Sequence, residues 1–138
     1  MFFSILCLAI PMNLSGQNLQ DYQWENRLIL IITNDPDSQN YIAQIEEFKP
    51  YSQEFKERSL ISCHVLPEKY FIKNDNSESW IKDSQLSKKY NSDNKAFKVI
   101  LIGLDGRIKI EQNHLLTAKK LFTTIEAMPM RRAELKNK

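Results

Sequence analysis

A chain of 138 residues has material for one core and little left for a second domain. Hydrophobic residues make up 42% and charged residues 26%, a globular balance that excludes a disordered or collagen-like chain. The formal net charge of +2 excludes a general nucleic-acid footprint, and the basic character is local: Arg131, Arg132, Lys136 and Lys138 stand against Glu134 at the C-terminus.

Residues 1–12 carry no charge and include Phe2, Phe3, Ile5, Leu6, Leu8 and Ile10, a run shorter than the roughly 20 apolar residues that span a bilayer. A small polar stretch follows, so residues 1–16 read as an export signal cut near Ser15 or Gly16. The usual basic residue before the apolar run is missing, and a buried first strand is the competing reading. Cys7 follows Ser4, Ile5 and Leu6, a poor match to the small residues that lipid attachment needs. Removal of the signal leaves residues 17–138 as a single domain, exported to the periplasm or the cell exterior, with no stable membrane insertion. Cys63 is then the only cysteine, so no internal disulfide can form.

Residues 27–33 are aliphatic on both faces and predict a central strand covered on both sides. Asp35 as N-cap with Pro36 in the first helical position predicts a helix start. Tyr41, Ile42, Ile45 and Phe48 then recur at helical spacing, and Tyr51 and Phe55 continue the pattern past Pro50, where the helix should kink or break. Residues 59–66 predict a second strand, 73–79 a polar loop, and 83–90 a short helix capped by Asp83 with Leu86 and Tyr90 on one face. Residues 97–103 predict a third strand. Asp105-Gly106 marks a hairpin whose turn wants positive φ, and Ile108 and Ile110 alternate with Lys109 and Glu111 on the fourth strand. Ala118, Leu121, Phe122, Ile125 and Met128 form a helical apolar stripe, with Thr117 as cap and Pro129 as stop. The order β-α-β-α-β-β-α predicts an α/β fold of thioredoxin-like build, a mixed central sheet flanked by helices. Two crossovers would give parallel pairs and the hairpin an antiparallel strand.

Three segments carry a resemblance: Tyr22 to Arg27, Phe97 to Gly106, and Met128-Pro-Met-Arg-Arg-Ala-Glu134. Together they resemble the family catalogued as domain of unknown function 4174, over about residues 19–134. That family occurs as an exported bacterial module and within some animal extracellular-matrix proteins. The resemblance implies a thioredoxin-like or peroxiredoxin-like fold and no settled activity.

In a thioredoxin-like fold the reactive cysteine sits where the first strand meets the first helix, whose N-terminus stabilises a thiolate. Here that corner holds Asn34, Asp35, Pro36, Asp37 and Ser38, and its two carboxylates would repel a thiolate. The proline that usually precedes the third strand is replaced by Asn94, Lys95 and Ala96. Cys63 and His64 are adjacent on a strand, so their side chains face opposite ways and the histidine cannot activate the thiol. His64 and His114 have no partners at ligand spacing, so no metal and no cofactor is implied. Trp24, with Tyr22, offers an aromatic cover for one end of the sheet or a partner patch. Arg131 and Arg132, flanked by Met128 and Met130, offer planar forks suited to carboxylate or phosphate. No catalytic constellation emerges. The candidate partner-binding residues are Arg131, Arg132, Met130 and Trp24, and the reading is a binding or accessory module for an unknown protein or anionic ligand. A one-cysteine peroxidase using Cys63 and a self-assembling structural domain are the alternatives.

Overall fold

The computed structural model describes residues 19–73 and 79–137. The expected export signal, Cys7, and residues 74–78 of the expected polar loop lie outside them.

Arg27–Thr33 (β1) is buried at every position, as an aliphatic run with no polar face must be. It occupies the middle of a six-stranded sheet with Leu60–Val65 (β2), Lys69–Lys73 (β3), Ile81–Lys82 (β4), Phe97–Ile102 (β5) and Ile108–Gln112 (β6), in the order β4-β3-β2-β1-β5-β6. β1 and β2 are parallel, with Ile31 beside His64; every other pair is antiparallel. β1 therefore runs against β5, whereas two crossovers would have made them parallel. The physical reason is length. The helix before β5 has six residues, about 9 Å, and cannot carry the chain back along a strand of roughly 20 Å. β3 and β4, which the sequence reading passed over, reverse the chain twice, so β5 begins at the end of the sheet where β1 finishes.

Alternation along the strands divides the core. One face of the sheet carries Ile29, Ile31, Leu60, Val99 and Leu101 under the helices Gln39–Phe48 (α1), Ser52–Glu57 (α2) and Ala118–Glu126 (α4). The other carries Leu28, Leu30, Ile32, Cys63 and Ile100, covered by the 3-10 turn Leu19–Tyr22 and the helix Gln85–Tyr90 (α3), which contributes Leu86 and Tyr90. On the first face, the buried amide of Gln44 on α1 ties that helix to the segment before α4, donating to the Leu116 carbonyl and accepting from the Leu116 N–H, both at 2.8 Å.

Pro50 breaks the first helix as expected: a 3-10 turn, Lys49–Tyr51, separates α1 from α2. Thr117 caps α4 by accepting from Lys120 N–H at 3.1 Å. Gly106 takes φ +78° in the turn to β6, and Gly103 N–H closes the hairpin on the Arg107 carbonyl. Three expectations are corrected. Asp83 does not cap α3 but accepts from Gln85 N–H at 2.7 Å from one residue upstream of the N-cap, Ser84. A register shift beside Leu101 puts Ile108 opposite Ile102 and leaves it 48% exposed, on the other face from buried Ile110. Finally, Pro129 does not only stop α4: it begins a further helix, Pro129–Lys136 (α5), because a proline has no N–H to lose in the first helical position.

Candidate functional site

At the end of β1 the polar residues satisfy one another. Thr33 Oγ1 donates to the Asp35 carbonyl at 2.8 Å and accepts from Asp35 N–H at 3.1 Å. Asp35 Oδ1 accepts from Asp37 N–H at 2.9 Å, an Asx turn. The N-cap of α1 is Ser38, not Asp35: its hydroxyl accepts from Tyr41 N–H, and Pro36 lies in the turn before the helix. Asp35 builds the turn that delivers Ser38 to the cap. Before β5, Asn91 grips Lys95 through both its N–H and its carbonyl at 2.9 Å, and Asn94 adopts φ +50°.

Cys63 and His64 do face opposite ways. Cys63 is fully buried among aliphatic side chains, and burial pushes its thiol up to about 12. His64 lies beneath α1, with its Nδ1 2.7 Å from the Tyr41 hydroxyl and its ring stacked on Phe71 at 4.4 Å. Burial, helped by the charge of Lys73, pushes His64 down to about 4, and burial raises Tyr41 to about 12. Trp80 meets the edge of Phe71, and Lys69 Nζ lies over Trp80. This stack was not foreseen, because Phe71 stands on the unread strand β3. A buried cation, Lys98, pairs with Asp93 and with Glu111.

The opposite end of β1 is built from charge. Arg27, its first residue, is fully buried and donates to the Arg58 carbonyl at 2.7 Å and to Glu134 on α5 at 3.2 Å. Arg131 is also buried and bonds Glu134 (3.1 Å), Glu126 (3.3 Å) and the Glu57 carbonyl (3.1 Å). Burial works against its charge, but the hydrogen bond it donates to Glu134 and the negative charge of Glu126 outweigh it and raise its pKa. Arg58 adds a 2.9 Å bond to Glu126 and lies over the Phe122 ring at 4.5 Å. The sequence expectation is therefore corrected for one member of the pair: the Arg131 fork is occupied within the fold, and only Arg132 is exposed.

Beside Arg27 lies a cavity of about 160 Å³, walled also by Gly103, Leu104, Met128, Pro129 and Met130. Trp24 N–H donates to the Leu104 carbonyl at 2.7 Å, which brings the tryptophan to the same pole. Trp24 is 62% exposed and has φ +72°, an uncommon conformation for a bulky residue; Met130 is 38% exposed. Arg27 itself was missed. Its partner Glu134 is 107 positions away, a contact no local pattern reveals.

No helix among the described residues is long and apolar enough to cross a membrane. The family model described as "Domain of unknown function (DUF4174)" matches residues 18–134. No curated protein matches the chain. Among solved structures, the reduced 2-Cys peroxiredoxin of Plasmodium vivax is similar in fold, with TM-score 0.60 and 10% identity over 86% of this chain and 85% of that one. With residues 18–134 covered, the chain belongs to the DUF4174 family, and its fold is thioredoxin-like.

Proposed function

We propose that this chain is an exported binding module that has given up thiol redox chemistry and recognises an acidic partner at the N-terminal pole of β1. The observation that carries the reading is the gathering of Trp24, Met130 and the Arg27 cavity at one pole, with Arg132 exposed on the adjoining helix. Export is supported by the uncharged apolar run of residues 1–12. The absence of redox chemistry is supported by the burial of Cys63 and by a self-satisfied acidic turn at the opposite pole. A thiol raised to about 12 gives almost no thiolate at neutral pH.

The test is fluorescence anisotropy of a labelled glutamate-rich peptide with the full chain, beside peroxide-consumption and insulin-reduction assays. Saturable binding that falls at least tenfold in Arg132→Glu and Trp24→Ala, without turnover in either assay, is the expected result. Peroxide turnover abolished by Cys63→Ser would overturn the reading, as would peptide binding indifferent to both substitutions.

A further inference from the structure

Residues paired across neighbouring strands share a face of the sheet, and so does every second residue along a strand. Ser62 and His64 on β2 lie opposite Lys73 and Phe71 on β3, and Lys69 lies opposite Lys82 on β4. Trp80 joins them through its contact with Phe71, ring centroids 4.5 Å apart. Lys69, Phe71, Lys73, Trp80 and Lys82 thus belong to the face that carries Leu60. The buried apolar cluster beneath the helices of that face contains no residue of β3 or β4. The two outer strands extend beyond it as a ledge, on which the three lysines are exposed and Trp80 is 39% exposed.

The ledge carries one sign of charge. Its residues on β3 and β4 include no carboxylate, and none of the three lysines forms an ion pair among the described residues. Glu68 precedes the strand, and Asp83, just past Lys82, accepts from Gln85 N–H. Lys69 and Lys82 stand directly across from each other, a like-charge pair that is destabilising on its own. Lys73 lies about 14 Å further along β3, four residues at the rise of a strand. Lysines on an edge also keep stray strands away, but an exposed indole in their midst works against that role.

We propose that this ledge binds a chain of sugar acids. Single ammonium charges spread along an open face suit a polymer that repeats single negative charges. The C–H groups on the face of a pyranose ring suit the negative π face of the exposed indole. At the Lys73 end lies a cavity of about 260 Å³, where the hydroxyls of Ser52 and Ser62 stand beside Phe55 and Leu60. Hydroxyl groups next to an apolar wall match the two sides of a sugar. Single-stranded nucleic acid fits less well, since it stacks successive bases on successive rings. The His64 ring closes one face of Phe71, which leaves the indole alone for bases. An acidic peptide matches the lysines but leaves the indole unused. The ledge lies on the other side of β1 from β5 and β6, where the cavity beside Arg27 is walled by Gly103 and Lys109, and does not rest on the reading of that pole.

The experiment is an NMR titration of the full ¹⁵N-labelled chain with hexagalacturonate, its fully methyl-esterified and uncharged form, hexaglutamate and a six-nucleotide oligothymidylate, at matched ionic strength. Saturable shifts of the Trp80 indole N–H and of the Lys69, Phe71 and Lys73 amides are expected with hexagalacturonate. The other three probes should act at those positions at least tenfold more weakly. Lys69→Glu and Lys73→Glu, both at exposed positions, should each weaken hexagalacturonate at least tenfold, as should Trp80→Ala read at the Lys73 amide. No saturable shift with hexagalacturonate overturns the proposal, as do shifts confined to Trp24 and Arg132. An equal response at the ledge to the methyl ester, to hexaglutamate or to oligothymidylate also overturns it, as does binding indifferent to both lysine reversals.

Discussion

Arg131→Ala removes a side chain that is 5% exposed and makes three hydrogen bonds, to Glu126, Glu134 and the Glu57 carbonyl. Bonds to charged groups contribute about 1.5–3 kcal/mol each when nothing replaces them. Replacement here is partial. Glu126 keeps Arg58 at 2.9 Å, Glu134 keeps Arg27 at 3.2 Å, and both carboxylates are about a third exposed, so water can reach them. The Glu57 carbonyl loses this donor, and the packing of the arginine stem is lost. A net cost of about 2–3 kcal/mol follows, which for a chain of this size lowers Tm by roughly 6–9 °C. Arg132→Ala, one position along, removes an exposed side chain and should stay within about 0.5 kcal/mol. Thermal and urea unfolding followed by far-UV circular dichroism measure both. Equal shifts for the two variants, or a change under about 2 °C for Arg131→Ala, would refute the assignment of Arg131 to the fold.

Cys63 should resist iodoacetamide at pH 8 in the folded chain and react promptly in urea, because with a pKa of about 12 only about one thiol in ten thousand is ionised; rapid labelling without denaturant contradicts this. His64, pushed down to about 4, stays neutral in the fold while the unfolded chain takes up a proton near 6.5, so stability is lost as pH falls from 6.5 towards 4, by about 3 kcal/mol in all. The difference in unfolding free energy between wild type and His64→Asn should carry that slope, and a flat difference between pH 7 and 4.5 counts against it. Ser38→Ala should cost about 1 kcal/mol as a lost N-cap, and Asp35→Ala, in an exposed turn, less than half of that; the reverse order in urea unfolding would restore Asp35 as the cap. Gly106→Ala forces a Cβ to 3.1 Å from Gln23 at φ +78° and should cost about 1–2 kcal/mol by the same measurement, with an unchanged midpoint as the failing result.

The parts of the fold that the sequence made legible are those whose signal is local. The aliphatic runs of β1 and β5, the Asp105-Gly106 turn and the stripe on α4 each declare themselves within a dozen residues. β3 does not, since Lys69–Lys73 buries only Tyr70 and Ile72 and alternates weakly beside a proline. α5 was hidden by Pro129, which ends one helix and begins another with the same chemistry. The direction of β5 depends on how many times the chain reverses before it, so missing β3 and β4 made the pairing wrong even with the element correctly placed. At the pole where β1 begins, Trp24, Met130 and Arg132 were singled out by residue type. Arg27 was not, because its role comes from a helix at the far end of the chain.

That separation also bears on when the molecule closes. A bond between the first residue of β1 and Glu134 forms only after nearly all of the intervening chain is in place, and long-range contacts of this kind are slow to assemble. The helix Pro129–Lys136 should then be among the last units to dock and the first to detach, which native-state amide exchange checks. Its departure would let water reach the Arg27 guanidinium while the sheet stays intact. The fold thus has a seam at this pole, where amide exchange should run ahead of the rest of the core.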